Sequence, residues 1–301
     1  SDDRTIGLTG GRSGPTSPRQ RPPEESLELI EVMFAGLVVI RCQIGHRIPV
    51  RRTGIDGRRV RHAPTGQGVL ELRDLSVTYR TEAGPVPAVR GVSLTLDAGD
   101  TVGLAGESGC GKSTIAGAVL RLLPAGTQVT GEVLLDGEDV YAMKPGRLRA
   151  VRWTSAAIVF QGALHSLNPV HRVGAQIEEA IRLHGSGDHR AARHRVGELL
   201  ERVGIPASRA DRYPHQLSGG QRQRVLIALA LACEPKVLIA DEPTTALDVM
   251  VQAQVLALLA ELQRDHGLAM LFITHDLSVL TSTCERLAVM YAGRIVEQGP
   301  S

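Results

Sequence analysis

Hydrophobic and polar residues alternate with a period of two along two stretches after residue 68, VLELRDLSVTY and GVSLTLDAGD. Such alternation is typical of strands that bury one face, and the second stretch ends at a turn. The pattern predicts that the domain opens with a half-exposed antiparallel sheet.

Short apolar runs separated by helix-like stretches make up most of the remaining chain. TVGLAG, KVLIAD and AMLFITH have the length and composition of buried parallel strands. Helical patterns such as VGAQIEEAIRLH and AARHRVGELLERVG occupy residues from about 162 to 216, where no strand pattern is clear. We predict an α/β fold at 67–301 with a mostly parallel core sheet, an N-terminal antiparallel β subdomain and an inserted α-helical subdomain at about 162–232.

Residues 1–66 differ in composition and are predicted to form an extension. GGRSGPTSPRQRPPEE has nothing to bury and indicates a disordered or linker segment. LELIEVMFAGLVVI is too short and too charged for a transmembrane helix, which favours a short element lying on a partner. The Arg-rich arm RCQIGHRIPVRRTGIDGRRVRH is either a solvated extension or a segment attracted to anionic lipid or an acidic partner.

Composition narrows the class of protein. The chain has 301 residues, 43% of them hydrophobic, and a net charge of +2, so it can bury a core and gives no charge argument for a nucleic-acid partner. Four cysteines without a CxxC pair indicate neither a disulfide framework nor a zinc site, and fit a reducing cytosol. No apolar stretch is long enough to span a bilayer, and the first residues lack a signal-peptide pattern, so a membrane role would come through partners.

A phosphate loop is the clearest motif. GESGCGKST at 106–114 fits GxxxxGK[ST] and lies between the strand TVGLA and the predicted helix IAGAVLRLL. Its glycines let backbone N–H groups surround a β-phosphate, Lys112 reaches the β and γ oxygens, and the Ser113 hydroxyl can bind Mg²⁺. The predicted nucleotide-binding residues here are Gly106, Glu107, Ser108, Gly109, Cys110, Gly111, Lys112, Ser113 and Thr114, with Cys110 a small loop residue.

Two acidic residues follow the strand in KVLIADEP at 236–243. Asp241 at the carboxyl end of a buried strand would hold Mg²⁺ directly or through its waters, beside the phosphate loop. Glu242 is predicted to point at the attacking water. A solvent-capped strand end is the alternative, and the phosphate loop upstream argues against it.

Three further residues are weaker signals taken singly. Gln161 ends the run AAIVFQ, where its amide could reach metal and water, although an isolated Gln is usually only polar. His275 ends AMLFITH and could touch a γ-phosphate, or be an ordinary structural histidine. Tyr79 could stack on adenine, or be a sheet-surface tyrosine.

A second phosphate-binding end is predicted in LSGGQRQR at 217–224. Glycines precede the apolar stretch VLIALALA, so a helix would begin here with exposed N–H groups and the positive end of its dipole. One chain therefore carries two ends of a nucleotide site.

The ordered series Tyr79, GESGCGKST, Gln161, LSGGQ, ADEP, ALD and His275 resembles the nucleotide-binding subunit of an ATP-binding cassette (ABC) transporter, with its P-loop NTPase fold. FQGALHSLNPVHRVGAQI and RYPHQLSGGQRQRVLIALALACEPKVLIADEPTTALDVMVQAQ are similar to the dipeptide and oligopeptide importer branch, including nickel importers. The resemblance implies ATP and Mg²⁺ as cofactors. It also implies a head-to-tail pair of cassettes, in which the residues acting in trans are Ser218, Gly219, Gly220, Gln221 and Asp248.

The resemblance also implies partners. These are transmembrane permease subunits, a second ABC ATPase subunit in a homodimer or heterodimer, and indirectly an extracytoplasmic solute-binding protein. The chain would lie at the cytoplasmic face of the membrane, with Leu164 to Val170 receiving a coupling helix. Gly162 and Ala163 depart from the family pattern, which commonly has an acidic residue and Pro after the Gln.

Other classes of nucleotide-binding protein fit the sequence less well. A soluble cassette ATPase of the translation or repair type usually carries two cassettes or a long coiled-coil insertion, and none interrupts this sequence. An ATP-sensing regulatory module would not need intact Lys112, Glu242 and His275, and a P-loop kinase or GTPase has no use for LSGGQ. Peptide is the predicted cargo, with nickel, opine or sugar as alternatives because cassettes do not touch the solute.

Overall fold

The computed structural model describes residues 68–160, 166–184, 188–245 and 247–301. The predictions for residues 1–66 and for Gln161 lie outside these residues, as does part of the predicted coupling segment. Two sheets and a set of helices form the described part of the chain.

The predicted antiparallel sheet is confirmed. Its four strands are β1 (Leu70–Thr81), β2 (Gly84–Leu96), β4 (Gln128–Leu135) and β5 (Glu138–Asp139), in the order β2-β1-β4-β5. β1 pairs antiparallel with β2 and with β4, and its buried residues alternate on either side of a register shift between Leu72 and Leu75. The period-two pattern therefore arises because one face of this sheet packs on the core.

The second sheet has six strands in the order β10-β9-β3-β8-β7-β6. They are β3 (Thr101–Gly106), β6 (Ala156–Val159), β7 (Val237–Asp241), β8 (Ala269–Thr274), β9 (Arg286–Tyr291) and β10 (Arg294–Pro300). β3, β6, β7, β8 and β9 run parallel to their neighbours, and β10 closes an antiparallel hairpin with β9. The predicted mostly parallel core is confirmed.

Seven helices connect the described strands. They are α1 (Lys112–Val119), α2 (Pro145–Thr154), α3 (Val173–His184), α4 (His189–Arg202), α5 (Gly219–Ala230), α6 (Val249–His266) and α7 (Leu277–Thr283). Between β6 and β7 the described residues contain α3, α4, α5 and two short 3-10 turns, Ala207–Asp211 and Pro214–Gln216. The content of the predicted helical subdomain agrees with this, while its limits at about 162 and 232 stay a prediction.

The helix IAGAVLRLL was predicted too long. α1 ends at Val119, and Arg121 adopts a left-handed backbone with φ 51°. The Leu122 N–H then bonds back to the Gly117 carbonyl at 2.8 Å. This closing turn satisfies carbonyls at the helix end, so the apolar residues that follow leave the helix.

Successive residues of the buried strands enter two different hydrophobic clusters. Val237 and Ile239 of β7 pack in the cluster shared with the antiparallel sheet and α1, whereas Leu238 and Ala240 pack in the cluster formed with α3 to α6. Both faces of the strand are therefore covered, which explains its unbroken apolar sequence.

Three adjacent parallel strands end at one edge of the sheet. β3 runs into the phosphate loop, β7 ends at Asp241, and β8 ends immediately before His275. Ligands of open α/β sheets bind outside the carboxyl ends of strands, so this edge is where a site is expected.

Candidate active site

The phosphate loop wraps tightly between β3 and α1. Gly106 has φ 155°, and a Cβ there would lie 2.3 Å from the Met290 carbonyl oxygen. Gly111 has φ 112°, and its Cβ would lie 2.3 Å from the Ala88 carbonyl oxygen. Only glycine fits at these two positions, since both the backbone angle and the space exclude a side chain.

The N-terminus of α1 is free to bind an anion. Its cap residue is Gly111, and no side chain of the described part of the chain caps this end. The first-turn N–H groups of a helix have no intrahelical partners, and the helix dipole adds positive potential. The loop therefore fits a nucleotide phosphate, as its sequence predicts.

Lys112 is buried at the start of α1, with 6% of its surface exposed. Its Nζ donates to the carbonyl oxygens of Gly106 at 2.7 Å and Glu107 at 2.9 Å, and lies 3.8 Å from the Cys110 sulfur. The ammonium group is thus held inside the loop by neutral acceptors, which leaves its charge available to a phosphate.

Asp241 and Ser113 face each other across the end of β7. Burial raises the pKa of Asp241 to about 6; the charge of Glu242 adds to the rise, while a hydrogen bond from Ser113 and the charge of Lys112 oppose it. The Oδ1 atom of Asp241 is buried and has no hydrogen-bond partner among the described residues. A buried carboxylate oxygen without a donor suits a hard cation, so the two residues fit the predicted Mg²⁺.

Glu242 occupies a strained position directly after β7. Its φ is 50°, in the left-handed region that residues with side chains rarely adopt. Its backbone N–H donates to the Ile273 carbonyl of β8 at 2.8 Å. This bond ties Glu242 to the neighbouring strand and fixes the direction of its side chain.

The carboxylate of Glu242 has two side-chain partners. Its Oε1 lies 2.8 Å from Nδ1 of His275, and its Oε2 accepts a 2.7 Å hydrogen bond from the Thr245 hydroxyl. The structure thus brings Glu242 and His275 together as expected of neighbouring strand ends. Sequence reasoning missed Thr245, which lies three positions after Glu242 in the turn that follows β7.

Tyr79 lies beside the phosphate-loop helix. Its hydroxyl donates to Oγ1 of Thr114 at 3.1 Å, across 35 residues of sequence. The contact brings an aromatic ring of β1 next to the predicted phosphate site. Its stacking on adenine stays a prediction, and the Thr114 contact was not foreseen.

The N-terminus of α5 is built from the LSGGQ segment. The Ser218 hydroxyl accepts from the Gln221 N–H at 3.2 Å, and Oε1 of Gln221 accepts from the Ser218 N–H at 3.1 Å. This reciprocal capping box stabilises the first turn. A Cβ on Gly220 would lie 2.4 Å from Cγ1 of Val251, so α5 and α6 approach each other closely there.

The two predicted phosphate-binding ends pack on different elements. α1 packs on β2, β3 and β7, whereas α5 packs on α3, α4, α6 and β6. Asp248 caps α6 by accepting from the Val251 N–H at 3.0 Å and is exposed. The exposed Ser218 and Asp248 are therefore available to a second molecule.

The match to known proteins agrees with this geometry. The profile of the ABC transporter family matches residues 89–245. A probable peptide ABC transporter ATP-binding protein of Sinorhizobium fredii is 46% identical over 244 residues, covering 80% of this chain and 73% of that protein. The oligopeptide transport ATP-binding protein OppD of Bacillus subtilis is 47% identical over 235 residues, covering 77% of this chain and 66% of that protein.

A solved structure extends the likeness to three dimensions. It is a dimeric, post-hydrolysis state of an ATP-binding cassette bound to ADP and Pi, with a TM-score of 0.68 and 30% identity. The likeness covers 77% of this chain and 98% of that chain. The chain therefore belongs to the ABC transporter family and is one of its ATP-binding cassette proteins.

Proposed function

We propose that this chain is the ATP-binding and ATP-hydrolysing subunit of an ABC importer that powers uptake of dipeptides or oligopeptides through separate membrane subunits. The observation that carries the proposal is the cluster of Lys112, Asp241, Glu242 and His275 at the carboxyl edge of three adjacent strands. A phosphate loop, a metal-binding carboxylate and a carboxylate for water are the parts that phosphoryl transfer to water needs.

In the proposed reaction, Lys112 turns from the Gly106 and Glu107 carbonyls toward the β and γ oxygens of ATP. Ser113 and Asp241 would hold Mg²⁺, and Gln161 stays a sequence-predicted ligand of the same ion. Bound Mg²⁺ supplies positive charge that neutralises the phosphate oxygens. Tyr79 stacks on the adenine ring.

Glu242 orients the attacking water for in-line attack on the γ-phosphate. His275, at the end of the neighbouring strand β8, lies against one oxygen of Glu242 and is proposed to contact the γ-phosphate. Catalysis in such a site comes from positioning and from charges that are already in place before the reaction.

A second cassette completes each site in this proposal. The N-terminus of α5, with Ser218, Gly219, Gly220 and Gln221, covers the γ-phosphate held by the partner's loop, and Asp248 lies across the same interface. The exposed capping box of α5, which packs on other elements than α1 does, supports an arrangement in trans. Hydrolysis then releases the dimer.

Peptide cargo and membrane partners are supported by the relatives' names, which include peptide and oligopeptide transport. Helices of the described residues are all too short or too polar to cross a membrane. In this proposal the chain acts at the cytoplasmic face, bound to transmembrane permease subunits and acting indirectly with an extracytoplasmic solute-binding protein.

The proposal is tested with Glu242→Gln, which keeps the shape of the side chain and removes its charge. We expect this variant to bind ATP without hydrolysing it, and its mass by light scattering to double when ATP is added without Mg²⁺. A variant that binds ATP but stays a monomer would sink the homodimer and point to a different second cassette. Failure of the unmodified chain to hydrolyse ATP with its partners would refute the ATPase proposal.

Cargo is tested with the same variant in cells that also produce the membrane subunits. Uptake of a labelled oligopeptide should require the unmodified chain and stop with Glu242→Gln. Uptake of nickel in place of peptide would contradict the peptide assignment and leave the ATPase function intact.

A further inference from the structure

We propose that Thr245 is a positioning residue for ATP hydrolysis, whose hydroxyl holds the carboxylate of Glu242 in the orientation that receives the attacking water. The inference rests on the proposed function. It adds a side chain that the sequence motifs did not assign.

The geometry begins with the turn that follows β7. The Thr245 N–H donates to the Glu242 carbonyl at 3.2 Å, so residues 242–245 form a closed turn with Pro243 inside it. Pro243 fixes one backbone angle of this turn. The Thr245 side chain is thereby brought back over the residue whose carboxylate it contacts.

The hydrogen bond from the Thr245 hydroxyl to Glu242 is short. Thr245 Oγ1 lies 2.7 Å from Oε2 of Glu242, which is within the usual range for a hydroxyl donating to a carboxylate. The Glu242 side chain is 11% exposed. The carboxylate is therefore largely enclosed, while Thr245 lies at the surface and restrains the rotation of the carboxylate group from that side.

The two partners of Glu242 differ in how firmly they are held. His275 is 66% exposed at its side chain and is anchored only from the end of β8. Thr245 belongs to the same turn as Glu242 and is tied to it by both backbone and side chain. A carboxylate oxygen can accept more than one hydrogen bond, so each oxygen of Glu242 keeps a position for water while its protein donor remains.

Thr245 also joins the catalytic carboxylate to the segment that leads to the proposed dimer interface. The Leu247 N–H donates to the Thr244 carbonyl at 3.2 Å, and Asp248 begins α6 immediately afterwards. A displacement of this segment would move the Thr245 hydroxyl and with it the orientation of Glu242. A movement of the partner cassette could thus change the orientation of the Glu242 carboxylate through the Thr245 hydroxyl.

The test is Thr245→Val, which keeps the branched shape and removes the donor, compared with Thr245→Ser, which restores a hydroxyl. We expect Thr245→Val to lower kcat for ATP hydrolysis by about tenfold or more, since a misplaced catalytic group costs rate and not ground-state binding. KM for ATP and ATP-dependent dimerisation should change by less than about twofold. Thr245→Ser should recover most of the lost kcat.

Thr127→Val is the matched control. The Thr127 hydroxyl is exposed and donates to the Pro124 carbonyl at the same 2.7 Å, outside the site. This variant should keep the unmodified kcat, and thermal unfolding of all three variants should show that each is folded.

Two results would overturn the inference. One is a Thr245→Val variant with unmodified kcat, and the other is a Thr245→Ser variant as slow as Thr245→Val. Either result leaves the proposed function standing if Glu242→Gln abolishes hydrolysis, whereas an unmodified chain without ATPase activity would refute the proposed function itself.

Discussion

The two predicted phosphate-binding ends of this chain satisfy their polar groups in different ways. At the phosphate loop, Asp241 keeps a buried oxygen without a partner, Lys112 is buried as a cation, and Glu242 adopts a left-handed backbone. At the start of α5, Ser218 and Gln221 satisfy each other through the capping box. One end is strained inside the monomer, and the other is complete by itself.

The difference suggests that the two ends contribute differently to ATP hydrolysis and to stability. Strain and unpaired charge at functional sites are features that a ligand can relieve. A capped helix terminus needs no ligand to be stable, although it still presents N–H groups to one. Changes at the phosphate loop should therefore abolish the chemistry without destabilising the fold, and changes at α5 should lower stability and weaken pairing.

The largest effect is expected for Lys112→Ala, which removes the cation of the phosphate loop. We expect ATP hydrolysis to fall by about 100-fold or more, because a charged donor to the phosphates is lost. The hydrolysis rate is measured from phosphate release, and the affinity for ATP from calorimetry. Lys236→Ala is the matched control, since Lys236 is 60% exposed and pairs with Asp136 on the surface. Hydrolysis at the unmodified rate in Lys112→Ala would contradict the catalytic role assigned to the phosphate loop.

The next effect is an expected gain of stability in Asp241→Asn. The folded-state pKa of about 6 lies above the ordinary 3.8, so the folded chain holds this proton more tightly than the unfolded chain. The free energy of unfolding therefore decreases as pH rises from about 4 to about 6, where Asp241 ionises, and stays at the lower value above that range. A shift of about two pKa units corresponds to roughly 2–3 kcal/mol, which Asn should recover at pH 7.5.

Thermal unfolding without Mg²⁺ and ATP measures this gain, which should be smaller at pH 5 than at pH 7.5. Mg²⁺-dependent hydrolysis should be lost in the same variant. Asp136→Asn is the control, and a surface change of this kind should alter stability by less than about 0.5 kcal/mol. An Asp241→Asn variant less stable than the unmodified chain at pH 7.5 would show that the site is not strained in the monomer.

The smallest effect is expected for Ser218→Ala, which removes the cap of α5. Loss of a Ser cap typically costs about 1 kcal/mol, and ATP-dependent dimerisation of the Glu242→Gln chain should weaken as well. Asp188→Ala removes the cap of α4, where Asp188 accepts from the Ala191 N–H at 2.8 Å. This control should lower stability by a similar amount without affecting dimerisation. Equal dimerisation in the two variants would contradict the role of Ser218 in trans.

Much of the fold could be predicted from local sequence patterns, and the error in the length of α1 has a local cause. The buried strands TVGLAG, VLIAD and AMLFIT were readable because their apolar runs are covered on both faces. α1 was extended too far because leucines after Val119 favour a helix, whereas the turn at Arg121 ends it. The predicted site residues at strand ends lie at one edge of the sheet because parallel strands bring their carboxyl ends together.

Consecutive residues were enough to predict the phosphate loop, the paired acids and the helix start at α5, because each is a short segment whose chemistry lies in neighbouring positions. Tertiary structure alone decided the contacts of Glu242 with His275, of Tyr79 with Thr114 and of Gly220 with Val251. Those contacts depend on strand order and on helix packing across residues far apart in the chain. No local pattern specifies which residues such packing will bring into contact.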